Sequence, residues 1–129
     1  MRKLVEVQNG TISDNEIQFT IEAQEPAEAL EAAGRMIADS DGHAFVYLVD
    51  TGTDYIYAQF KENLWPAMLA ALQRNEVPLL KWGKQIMPMA SYHEELWMLL
   101  ENIEGNDNYG GAFSAAVEKA FQEALASRA

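Results

Sequence analysis

The stretch ENIEGNDNYGG at residues 101–111 sets carboxylates, side-chain amides and one phenol between glycines, a mixture suited to holding a polar ligand. Asn106, Asn108 and Tyr109 are its candidate contacts. The competing reading is a corner. Gly105 would take the left-handed conformation after a helix, Asn106 or Asn108 would cap the next one, and Gly110 and Gly111 would relieve crowding as the chain reverses. That reading leaves Asp107 and Tyr109 over, and the Tyr109 ring is expected to lie on the helix pair with its hydroxyl on water or backbone.

DSDG at residues 39–42 alternates two carboxylates, Asp39 and Asp41. An EF-hand calcium loop needs further oxygens and a glycine in sixth place, whereas Gly42 comes fourth, so a turn bonded to its own backbone is expected and no metal site is assigned. His43 and His93 have no histidine or cysteine at ligand spacing. His93 falls in the first turn of a helix, which disfavours its cation. Asp39, Asp41, Tyr109 and His43 are the set from which a small-molecule or enzymatic site would assemble if the fold gathered them. Glu94 and Glu95 diverge by about 100° around a helix and read as a solvated face. The chain has no cysteine, no phosphate-cradling glycine loop and no GxSxG elbow. No catalytic residue and no cofactor are assigned.

These side chains need a scaffold, and 129 residues suffice for a single domain, taken as 1–129. A hydrophobic content of 49% lies well above that of disordered chains. The apolar run after Arg2 and Lys3 breaks at Glu6, short of a signal-peptide core, and no stretch approaches a membrane span of about 18 apolar residues, so a cytoplasmic protein is expected. The net charge is −11, and residues 4–34 hold seven acids and no base. Such a surface repels phosphate, which disfavours nucleic acid and anionic membranes as partners and favours a basic protein.

Periodicity supplies the elements. Residues 4–8 and 16–23 read as strands of an antiparallel hairpin, with Asn9-Gly10 and Asp14-Asn15 as turn chemistry. Pro26 and Gly34 bracket a short helix of about two turns, and residues 35–42 form a strand ending in a turn. Residues 43–50, nearly all apolar, are a central strand covered on both faces, and residues 55–60 return beside it. Leu64, Trp65, Met68, Leu69 and Leu72 mark a helix over residues 62–73 with Pro66 in its first turn. Residues 77–89 form an edge hairpin around Gly83-Lys84, since Pro78 and Pro88 donate nothing to a ladder. An exposed Trp82 on that edge would recruit a partner strand. Ser91 and Glu94 have the spacing of a capping box, so Ser91→Ala should cost about 1 kcal/mol. Leu96, Leu99, Leu100 and Ile103 face the core from that helix, and Phe113, Val117, Phe121 and Leu125 from the last one.

MIADSDGHAFVYLVD, DYIYAQF with Trp65 soon after, and LLENIEGNDNYG followed by VEKAF resemble a family of small uncharacterised proteins of low-GC Gram-positive bacteria. The resemblance covers residues 36–121, and residues 1–35 match only in length and strand character. After the NYG run that family usually carries acids, where this chain has Gly111-Ala112-Phe113. The resemblance implies a compact cytoplasmic protein with no assigned activity.

The expectation is therefore an α+β domain: an antiparallel meandering sheet of about five to seven strands, helices on one face, and two consecutive helices at the end. The functional expectation is a non-enzymatic acidic protein that binds a protein partner or self-associates. Its alternatives are a small-molecule site near Asp39, Asp41 and Tyr109, and an immunity-type inhibitor of a basic nuclease.

Overall fold

The computed structural model describes residues 3–128, the Asp107 side chain excepted. In chain order its elements are β1 (Lys3–Glu6), β2 (Asn9–Ile12), β3 (Ile17–Ile21), β4 (Glu31–Asp39), β5 (Ala44–Asp50), β6 (Tyr55–Lys61), α1 (Trp65–Arg74), β7 (Leu79–Trp82), β8 (Gln85–Pro88), α2 (Tyr92–Ile103), α3 (Gly111–Ala120) and α4 (Gln122–Arg128). The class is α+β and the chain closes in helices. The single antiparallel meander is corrected to two four-stranded mixed sheets, ordered β1-β6-β5-β4 and β2-β3-β7-β8.

β5 is the central strand its composition demands, buried from Ala44 to Val49 and flanked by β6 and β4, both antiparallel. On β6, Ile56, Ala58 and Phe60 point inward while Tyr55 is exposed. The N-terminal hairpin is displaced by one strand. Residues 3–6 run parallel to β6, and Asn9-Gly10, expected as a turn, are instead β2, which pairs antiparallel with β3. Val7 and Gln8 are the crossing point: the Val7 amide donates to the Gln59 carbonyl in one sheet and the Gln8 amide to the Thr20 carbonyl in the other. β3 and β7 then pair in parallel, so β7 is interior and only β8 lies at the edge of the expected hairpin.

The helix expected between Pro26 and Gly34 does not form. Two side chains of the β7-β8 hairpin hold this segment in an irregular, non-helical path through three bonds: Trp82 Nε1 donates to the Ala23 carbonyl (2.9 Å), Gln85 Nε2 donates to the Glu28 carbonyl (3.0 Å), and Gln85 Oε1 accepts the Leu30 amide (2.8 Å). Two turns of alanine-rich helix are marginal in water, so these tertiary bonds override the propensity. Gly34, expected to end that helix, has φ +71° inside β4, where the register against β5 slips between Ala32 and Met36. It is the glycine of a bulge.

α1 carries its expected stripe, with Trp65, Met68 and Leu72 buried and Pro66 in the first turn. Tyr92 of α2 reaches across to donate to the Met68 carbonyl of α1 (2.9 Å). The capping box is absent. Ser91 precedes α2 in the left-handed region (φ 61°) and its hydroxyl makes no capping bond. Glu95, expected on a solvated face, accepts the Met36 amide (2.9 Å) beside the bulge. Because the left-handed region costs a non-glycine residue about 1 kcal/mol or more, Ser91→Gly is expected to stabilise the fold by about 0.5–1 kcal/mol. Urea unfolding of the variant against the parent reads this directly, and a loss of stability would show that Ser91 does cap α2.

Two helices with one expected stripe follow: Phe113, Val117 and Phe121 are buried, but the helix interrupts at Phe121 to give α3 and α4. Phe45, Trp65, Phe113 and Phe121 meet in one aromatic cluster that joins β5, α1 and the terminal helices.

Candidate functional site

The loop after α2 is a corner in nearly every polar group. Gly105 is left-handed (φ +69°), and its amide donates to Glu118 of α3 (3.0 Å). Asn106 Nδ2 donates to the Asn102 carbonyl (3.0 Å), its Oδ1 accepts the Asn108 amide (2.9 Å), and its carbonyl accepts the Ser114 hydroxyl (2.9 Å). Asn106 therefore caps the 3-10 turn Asp107–Tyr109, whereas the N-cap of α3 is Gly110. That corrects the expected asparagine cap. Asn108 has an exposed side chain, and the Tyr109 ring leans on Phe113 with centroids 6.3 Å apart.

The turn after β4 is also internally bonded. Asp39 Oδ1 accepts the Gly42 amide (3.1 Å) and Oδ2 accepts from Gln59 Nε2 (3.4 Å). A Cβ at Gly42 would lie 2.6 Å from Asp39 Oδ2, so glycine lets the carboxylate close over the backbone. Asp41 is exposed. His43 holds Glu62 through Nδ1 (2.8 Å) and sets its ring edge-on to Phe113, centroids 5.8 Å apart. Phe113 thus touches both His43 and Tyr109, while the Asp39 carboxylate is committed to its own turn and to Gln59. Among the described residues no three histidine or acidic side chains are grouped to hold a metal ion.

Trp82 is not an exposed edge. Its side chain is buried with 2% exposure, facing residues 23–28 rather than solvent. Beside it runs an open cleft of about 490 Å³ lined by Lys3, Leu4 and Val5 of β1, by residues 23–28 and by Trp82. Glu25 and Glu28 line it, and Glu22 lies one residue before its wall and is exposed. Glu25 Oε1 accepts the Lys84 amide (3.1 Å), which fixes that wall to the β7-β8 turn. Beyond it, Glu31 faces Asp50 directly across the β4-β5 ladder. Cleft and acid pair escaped sequence reasoning because both depend on the irregular, non-helical path of residues 22–31; the run of acids in that segment was their one visible trace.

The sequence profile of a family of unknown function, UPF0738, matches residues 5–121. The chain belongs to the UPF0738 family. A UPF0738 protein of Lysinibacillus sphaericus is 36% identical over 126 residues, covering 98% of this chain and 99% of the relative. The UPF0738 protein YjbL of Bacillus subtilis is 33% identical over 121 residues, 94% of this chain and 99% of the relative. A UPF0738 protein of Staphylococcus epidermidis is 38% identical over 100 residues, 78% of this chain and 83% of the relative. The match to UPF0738 starts at residue 5, so the similarity expected to be confined to residues 36–121 extends through the N-terminal strands. No solved structure matches. No helix among the described residues is long and apolar enough to cross a membrane.

Proposed function

We propose that this UPF0738 protein is a non-enzymatic cytoplasmic protein that binds a basic protein through the acidic surface of residues 22–31 and the adjoining end of β5. The supporting observation is the Glu31-Asp50 pair. Like charges directly opposite on neighbouring strands destabilise a sheet, and neither acid has an ion-pair partner among the described residues. Asp50 Oδ1 accepts the Gly52 amide (2.7 Å) in the turn after β5, a bond that Asp50→Asn keeps, but the charge repulsion with Glu31 serves no such purpose, and a lysine or arginine brought by a partner would neutralise both acids. Exposed Glu22 and Glu28 extend the same field and would speed encounter with a cationic surface.

The test is the double variant Glu31→Gln/Asp50→Asn. Removing the repulsion should leave the fold equally stable or more stable by about 0.2–1 kcal/mol, while weakening the partner about tenfold or more. The tagged protein is used to capture binders from an extract of cells that make it, and each purified binder is titrated by calorimetry at low and high salt. A basic protein whose affinity falls with salt and with the double variant is the expected result; a nuclease in that role would make the chain an immunity-type inhibitor. Binders that ignore both salt and the substitutions, or no binder at all, overturn the proposal.

A further inference from the structure

We propose that the cleft beside β1 seats an extended segment of the partner, alternating apolar and basic residues, as a strand added to the β1 edge. This rests on the protein-binding reading and names its seat. β1 has β6 on one side only, and among the described residues no strand lies on the other. Alternate residues of a strand point their N–H and C=O groups to each side, so β1 offers an unused ladder edge toward the cleft. Strand addition draws affinity from that ladder and specificity from pockets for alternate side chains.

The cleft supplies both kinds of contact. Leu4, 53% exposed, supplies the apolar part of the lining with Pro26 and Trp82, while Val5, the next residue of the strand, turns its side chain toward the core. Glu25 and Glu28 form an acidic rim, with Lys3 the single base on the lining. The 23–28 part of the lining is held in place by hydrogen bonds from Trp82 to the Ala23 carbonyl, from Gln85 to the Glu28 carbonyl and from the Lys84 amide to Glu25. An incoming strand would alternate its side chains between the apolar lining and the rim. Charge selects the occupant: a second copy of a chain carrying −11 would bring like charge to an acidic rim, whereas a basic segment neutralises it.

The probe is the hexapeptide acetyl-Lys-Val-Lys-Val-Lys-Val-amide, added to the isotope-labelled full chain and followed by amide chemical shifts. Saturable shifts confined to residues 3–6, 23–28 and 82 are expected, together with slowed hydrogen exchange in β1. Leu4→Asn and Glu28→Gln, both at exposed positions, should each weaken binding about fivefold to tenfold. Glu31→Gln/Asp50→Asn should leave peptide binding within about twofold, since that pair lies outside the cleft. Shifts scattered over the acidic surface, equal binding of a Lys-Lys-Lys-Val-Val-Val peptide, no binding, or a dimer occupying β1 would each overturn the seat. The protein-binding reading would then be judged by the capture experiment alone.

Discussion

Trp65→Ala is expected to destabilise the protein by about 3–5 kcal/mol, a large part of the roughly 5–15 kcal/mol that holds a domain of this size. Trp65 is 1% exposed and its ring lies 5.4 Å from Phe45, 6.1 Å from Phe113 and 6.1 Å from Phe121, centroid to centroid. Its Nε1 donates to the Phe60 carbonyl at the end of β6 (3.1 Å). Truncation removes three ring contacts at once, opens a cavity bounded by elements that cannot all close on it, and leaves that carbonyl without its donor. Trp65→Phe keeps much of the apolar volume and loses the donor, so about 1–2 kcal/mol is expected. Urea unfolding followed by far-ultraviolet circular dichroism separates the two. A loss below about 1 kcal/mol for Trp65→Ala would mean that the sheets and terminal helices are joined elsewhere.

The same cluster shows which parts of the fold were legible. β6, α1, α2 and the Phe113-Val117-Phe121 stripe each carry their own period, because a strand or helix with one buried face must repeat at two or at three to four residues, and β5 declares itself by an unbroken apolar run covered on both faces. What periodicity lacks is the partner. β1 reads as a strand, yet nothing within four residues says that it pairs with β6 across the molecule instead of with β3 nearby. The false helix at Pro26 has the same origin: local propensity favours it, and the bonds that defeat it come from Trp82 and Gln85, more than fifty residues away. Gly34 was a readable warning, since a glycine inside a strand commonly marks a bulge. Ser91 gave the opposite warning falsely, because capping-box spacing specifies residue types and not the backbone conformation that the bond requires.

For the candidate site the division is similar. The corner at Gly105 and Asn106 followed from small and amide side chains acting locally, and so did the Asp39 turn. The contact of His43 and Tyr109 with Phe113, the burial of Trp82 and the Glu31-Asp50 confrontation follow from tertiary pairing. Composition announced an acidic surface, but only the non-helical path of residues 22–31 shows where it borders the cleft.

Two tyrosines should make the fold fail in alkali. Tyr47 is fully buried and donates to the Ala90 carbonyl (2.7 Å); burial lifts its hydroxyl from 10.0 to about 12, a backbone bond at Gly34 pulls the other way, and the Glu95 carboxylate adds to the rise. Tyr92, donating to Met68, is raised well above 10.0 by burial. Below pH 10 both phenols are protonated in the folded and unfolded chains, and their contribution is fully present. Above pH 10 the unfolded chain loses these protons while the folded chain keeps them, so stability falls by about 1.4 kcal/mol per pH unit for each tyrosine until its folded value is passed. Urea midpoints should therefore decline steeply between pH 10 and 12, with part of the tyrosinate absorbance appearing only as the chain unfolds. Tyr47→Phe should cost about 1–3 kcal/mol at neutral pH, by leaving the Ala90 carbonyl unpaired, and yet flatten the alkaline slope by about 1.4 kcal/mol per unit. An unchanged slope in that variant, or complete tyrosinate formation at pH 10 with the fold intact, would show that burial of Tyr47 does not govern the alkaline limit.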